Sequence, residues 1–272
     1  MKIYLKYLLI SIFIIGVIYL AYSVFHSESF NSFKQASFYK HITEYQRILR
    51  TKLSSLMISL RKDKSTFTFF SIILISFLYG IIHAAGPGHG KFILSSLILS
   101  EKSKVSKAFF ASFTMGTLHS LSAITIVLSI YYILKLPVTA YFESSEKVLK
   151  NITASAIILI SLFQFYNIFK KNNNNHSTFK GVVVSAGLVP CPATSIILLF
   201  SLNLKMLNTG LFSVAAMSVG MSTGIFLSAL LTLFLKNSGN KMFEFEKNQN
   251  IVKIIRIIGT SFILLTGLFI LI

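Results

Sequence analysis

The sequence predicts an all-α polytopic membrane protein, with about seven transmembrane helices and a core of two inverted three-helix repeats built on broken helices. Three observations predict it. Of 272 residues, 54% are hydrophobic and 12% charged, and the mean hydropathy of +0.72 lies well outside the range of soluble domains. Seven stretches are free of charge, most of them long enough for a bilayer crossing. Two of them are interrupted at corresponding places by breaks rich in glycine and proline.

Residues 7–25, 65–82, 108–134, 151–169, 181–204, 206–235 and 257–272 contain no Asp, Glu, Lys or Arg, and most reach the ~20 residues that a helix needs to cross hydrocarbon. The first follows Lys2 and Lys6 and resembles a signal sequence. It lacks a small-x-small cleavage site, for which Tyr22 to Phe25 is a poor substitute, so it reads as a retained anchor. The second runs on through Gly86-Pro87-Gly88 to about Ser100, where Glu101 and Lys102 close it. Between Ser27 and Thr66, apolar residues recur at helical spacing among eight basic ones: Phe33, Phe38, Tyr39, Ile42, Tyr45, Ile48, Leu49, Leu53, Leu56 and Leu60. That pattern predicts an amphipathic helix on the membrane or capping the core, with His41 an interfacial residue on it. Residues 1–66 are thus an anchor with a polar segment, and 67–272 the membrane core. The tract Lys170 to His176, with four asparagines, reads as a low-complexity loop, where a lone His176 holds no metal tightly.

Against 26 Lys and Arg stand 8 Asp and Glu, a net charge of +18. In a soluble chain this would suggest nucleic acid; here the basic residues flank apolar runs, so the partner is the lipid bilayer and not nucleic acid. With 27–66 set aside, one side of the membrane receives Lys2, Lys6, Lys102, Lys104, Lys107, Lys170, Lys171, Lys180, Lys236, Lys241, Lys247, Lys253 and Arg256. The other receives Lys135, Lys147, Lys150 and Lys205, which places the N-terminus inside. Cys191 is the single cysteine, which excludes an internal disulfide or a two-cysteine relay.

The run His83-Ala-Ala-Gly86-Pro87-Gly88-His89-Gly90-Lys91 carries the chemistry. In hydrocarbon a backbone break is tolerated only where the freed groups face protein or a water-filled cavity. Six residues apart on one straight helix, His83 and His89 would face different ways; a break between them can turn both rings to one point. His119, deep in an uncharged run, is the third buried imidazole, either a partner of these two or a hydrogen-bonded packing residue. Cys191, between Pro190 and Pro192, is either a soft ligand or a small apolar residue. Met115, Met217 and Met221 read as core filler. Lys91 is either a mobile internal cation or an anion-binding group beside the turn. The string is not a phosphate loop, since Gly90-Lys91 is followed by Phe92.

Setting Pro87 over Pro190 aligns the two breaks, each followed by an apolar stretch, a loop with Lys102 or Lys205, and a long span containing Gly116 or Gly220. Units 67–169 and 181–272 hold three helices each, and an odd number of crossings inverts the second copy. Inverted repeats with matched broken helices are a secondary-transporter architecture, with the substrate site where the breaks meet. Cys191 is therefore expected to face His83 and His89. Imidazole and thiolate suit nickel, cobalt, zinc and copper, whereas magnesium and calcium want carboxylates. All eight acidic residues, Glu28, Glu44, Asp63, Glu101, Glu143, Glu146, Glu244 and Glu246, lie outside the spans or at their ends.

Tyr79-Gly-Ile-Ile-His83-Ala-Ala-Gly-Pro-Gly-His89-Gly-Lys91, then His119-Ser-Leu-Ser-Ala123, then Gly187-Leu-Val-Pro190-Cys191-Pro192 resemble the nickel/cobalt efflux permease family of the NicO type, over roughly residues 65–272. The resemblance implies a proton- or potential-driven divalent-metal permease of the bacterial inner membrane, more an exporter than an importer. Some members carry a histidine-rich stretch where this chain has asparagines and His176 at 170–180. Nickel or cobalt would be cargo, no resident cofactor is expected, and a homo-oligomer is compatible with the sequence. Two other readings stay open, an oxyanion exporter using Lys91 and a non-transporting assembly or coupling subunit. Enzyme readings fail for want of a Ser-His-acid set or an intramembrane Asp pair.

Overall fold

The computed structural model describes residues 37–86, 89–100, 103–134, 175–189 and 191–238, with individual positions within 151–168 and 257–271. The expected anchor at 7–25, along with Pro87, Gly88 and Pro190, lies outside the described residues. The chain divides into two compact units, Met1–Thr43 and Glu44–Ile272. Described elements are all helices: α1 Ser37–Asp63, α2 Thr66–Ala85, α3 His89–Ser100, α4 Val105–Leu134, α5 Asn175–Gly187, α6 Pro192–Asn203 and α7 Leu207–Ser238.

Among the described residues, three helices are long and apolar enough to span a membrane, Thr66–Ala85, Val105–Ser129 and Leu207–Lys236. The uncharged run 181–204, expected to be broken at Pro190-Cys191-Pro192, folds as two helices, α5 ending at Gly187 and α6 starting at Pro192. Pro192 explains the restart: its fixed φ and missing N–H suit the first turn of a helix but not the interior of one. The loop expected through His176 is also shorter than its composition suggests, because Asn175 and His176 already belong to α5.

Helix lengths follow a pattern. After the first break come α3 with 12 residues and α4 with 30; after the second come α6 with 12 and α7 with 32. At ~1.5 Å per residue, 12 residues reach about 18 Å, well short of a ~30 Å core. The long helices also pack on the helices beside the breaks: α7 on α2 and α3, and α4 on α5 and α6. The turn from α6 to α7 is tight, with Lys205 at φ 57°, its N–H on the Leu202 carbonyl at 2.9 Å and that of Met206 on Ser201 at 2.9 Å. These are the paired bonds that close a helix with a left-handed residue.

The α2–α7 contact is backbone against backbone. A Cβ on Gly80 would collide with the Met217 carbonyl, and one on Gly220 with the Phe77 carbonyl, while Ala84 sits against Gly224. Gly220 and Gly224 form the small-xxx-small spacing that lets membrane helices approach where hydrophobicity supplies no net attraction. Some buried hydroxyls are satisfied locally, Ser213 on the Thr209 carbonyl at 2.8 Å and Ser222 on Ser218 at 2.8 Å, or across helices, Ser218 on Gly116 at 3.0 Å, whereas those of Ser76 and Ser120 have no partner among the described residues.

Two apolar clusters result. One, with Leu94, Ile98, Met115, Val183 and Met221, lies where α3, α4, α5 and α7 meet. The other joins Leu53 and Met57 of α1 to Ile72, Tyr79, Cys191, Leu198 and Met217. α1 therefore caps the core, one of its two expected placements.

Candidate metal-ion site

The site forms where two helices stop. α2 ends at Ala85 because Gly86 turns extended, at φ −63° and ψ 169°, and Pro87 follows. His83 thereby stands in the last turn of α2, where the free carbonyls carry partial negative charge that favours cations. α6 begins at Pro192 with Cys191 as its extended N-cap, at φ −91° and ψ 122°. The Cys191 sulfur makes no capping bond; its carbonyl instead receives the Ser195 N–H and the Ser195 hydroxyl, both at 3.0 Å. The sulfur is left to face α2.

There Cys191 Sγ lies 3.4 Å from His83 Nε2, across 108 residues of sequence. His119, on α4 and buried, is the thiol's second imidazole neighbour. Cys191 itself is only 1% exposed. The Tyr79 ring, one turn before His83, packs on that imidazole at a centroid distance of 6.2 Å. Three elements thus bring two imidazoles and a thiol to one place. Among the described residues no three of His, Cys, Asp and Glu are set to hold a metal ion, so the arrangement is an open cluster, not a closed cage. The His89 backbone opens α3, and its side chain lies outside the described residues.

Lys91 bridges the first break. Its Nζ donates to the Ala85 carbonyl at 2.8 Å, so in this state the ammonium serves the freed end of α2. Gly90 has only ordinary contacts nearby, with Ile225 and Met115 at 3.5 Å from a built Cβ. Met217 does more than fill space, because its sulfur accepts from the Thr194 hydroxyl at 3.7 Å. Thr194 and Ser195, both buried, were not flagged by sequence reasoning. Their signal was available, since they fall in the first turn after the Pro190-Cys191-Pro192 break.

Apolar helices whose broken ends turn an imidazole and a thiol toward one another are of a kind found in multi-pass membrane transporters. A profile of the NicO family, described as high-affinity nickel-transport protein, matches residues 69–180. A Methanocaldococcus jannaschii protein named as a candidate nickel/cobalt efflux system is 30% identical over 200 residues, 72% of this chain and 90% of that one. A Haemophilus influenzae protein named in the same way is 22% identical over 263 residues, 78% and 80% of the two chains. The chain belongs to this nickel-transport family. No solved structure matches it.

Proposed function

We propose that this protein exports nickel or cobalt ions across the plasma membrane, the inner membrane of a bacterial cell, without chemically converting its cargo. The Cys191–His83 contact of 3.4 Å carries the reading, because it puts a thiol and an imidazole at the apposed ends of two broken helices. That donor pair suits borderline transition metals and not magnesium or calcium. An open cluster also suits passage, which needs binding strong enough to admit the ion and weak enough to release it. His83 and Cys191 hold the ion, His119 supports the thiol, and His89 is the second imidazole of the first break. The units 67–169 and 181–272 act as inverted copies, a reading that the matched 12-residue half-helices support. The oxyanion alternative is the weaker, since Lys91 already serves the Ala85 carbonyl. Export would run from the monomer or a homo-oligomer.

The test is metal content and growth under nickel or cobalt load in cells lacking other exporters. Wild type should lower cell metal, whereas His83→Ala should not, at equal abundance in the membrane. Full export by His83→Ala ends the ligand assignment. Entry of metal in place of exit would reverse the direction.

A further inference from the structure

We infer that Gln46, on α1, is a positioning residue for His83, and with it that α1 is part of the transport machinery. The inference rests on the reading of His83 as a ligand. It starts from the last turn of α2. In an unbroken helix the carbonyls of Ile82, His83, Ala84 and Ala85 would receive the N–H groups four residues on. Here Pro87 has no N–H to offer His83, and the Gly86 N–H is split between the Ile82 and His83 carbonyls at 3.2 Å each. A helix end so poorly bonded gains from outside donors. Two side chains supply them from the helices on either side. Lys91 of α3 donates to Ala85 at 2.8 Å, and Gln46 of α1 donates its Nε2 hydrogen to Ile82 at 3.3 Å.

Ile82 is the residue before His83, so the Gln46 bond fixes the peptide from which the imidazole hangs. Gln46 also lies on the inward seam of α1. Spacings of three and four connect it through Leu49 to Leu53, Met57 and Leu60, and these last three are buried. It is the polar member of that seam. The family match begins at residue 69, inside α2, so α1 stands outside the matched stretch.

The full-length protein in membrane vesicles, with nickel as the probe, gives the test. Gln46→Leu and Gln46→Glu remove the donor, the second with almost no change in shape; Gln46→Lys keeps a donor of similar reach, as Lys91 shows for the adjacent carbonyl. Loosening a residue that orients a metal ligand costs about tenfold or more in affinity. The expected result is therefore a rise of about tenfold in half-saturating nickel for Gln46→Leu and Gln46→Glu, with maximal rate within about twofold of wild type. Nickel protection of Cys191 from a small maleimide should shift by the same factor, and Gln46→Lys should restore both.

Wild-type half-saturation in Gln46→Leu overturns the inference, and so does Gln46→Lys as impaired as Gln46→Leu. Loss of all three variants from the membrane overturns it too, in favour of a purely structural bond. His83→Ala keeps the two readings apart: if it transports normally, the ligand assignment fails; if it is dead while Gln46→Leu is normal, only the role of Gln46 fails.

Discussion

The two breaks solve the same backbone problem in opposite ways. At the first, a helix end is exposed: α2 leaves carbonyls without backbone donors, and Lys91 reaches back to Ala85. At the second, a helix start is presented: Cys191 precedes Pro192, which needs no N–H partner, and Ser195 returns to the Cys191 carbonyl through both its N–H and its hydroxyl. The first break is thus held from outside by long polar side chains, whereas the second is held from within its own first turn. A C-terminal end attracts cations and carries the imidazole; the other end carries the thiol. In the proposed site the two breaks are thus unlike, each adding the donor that its own end can support.

Removing either donor gives the largest expected effect. His83→Ala and Cys191→Ser should each abolish or nearly abolish nickel export, and the double variant should be no worse than the more damaged single. Residues that act as one unit are non-additive. Additive losses, read from half-saturation and rate in vesicles, would show that the two breaks act separately. Next comes the crossing that holds the breaks in register. A side chain at Gly220 would drive into the Phe77 backbone, so Gly220→Leu should cost more than ~3 kcal/mol of helix packing and lower the protein's thermal aggregation temperature in detergent. An unchanged temperature would mean that α2 and α7 are less closely apposed than described.

Lys91→Met should have a smaller effect. It removes that donor from the exposed Ala85 carbonyl and should slow export severalfold at normal abundance. Faster export would favour the mobile-cation reading of this lysine. Smallest is His176→Ala, expected to leave nickel export within about twofold of wild type, because a lone histidine beside asparagines is a poor metal loop. Loss of export there would reveal a role for the start of α5.

Much of this was legible in the chain. The spans could be read because charge is excluded from hydrocarbon, so the ends of α4 and α7 fall close to the ends of charge-free runs. Both breaks could be read because proline lacks an N–H wherever it stands. The face of α1 was harder. Tyr45 and Ile48 share helical spacing with Leu53 and Leu60, yet they are 55% and 49% exposed, while Met57, absent from the expected face, is 1% exposed. In a 27-residue helix several overlapping stripes satisfy the same period, and only the neighbour decides which one is buried.

The chain alone shows which stretches are free of charge, where a helix must stop, and which donors lie beside each stop. Those are local properties, set by side-chain charge, by proline and by composition. Tertiary structure decided what those donors meet. That Cys191 reaches His83 across 108 residues depends on α7 packing against α2 through bare glycine backbone and on α6 restarting at the same depth. That Lys91 turns to Ala85 and Gln46 to Ile82 depends on which carbonyls the breaks leave open once neighbouring helices have closed around them. Contacts between distant segments are set by the mutual fit of helix surfaces, and no local pattern encodes that fit.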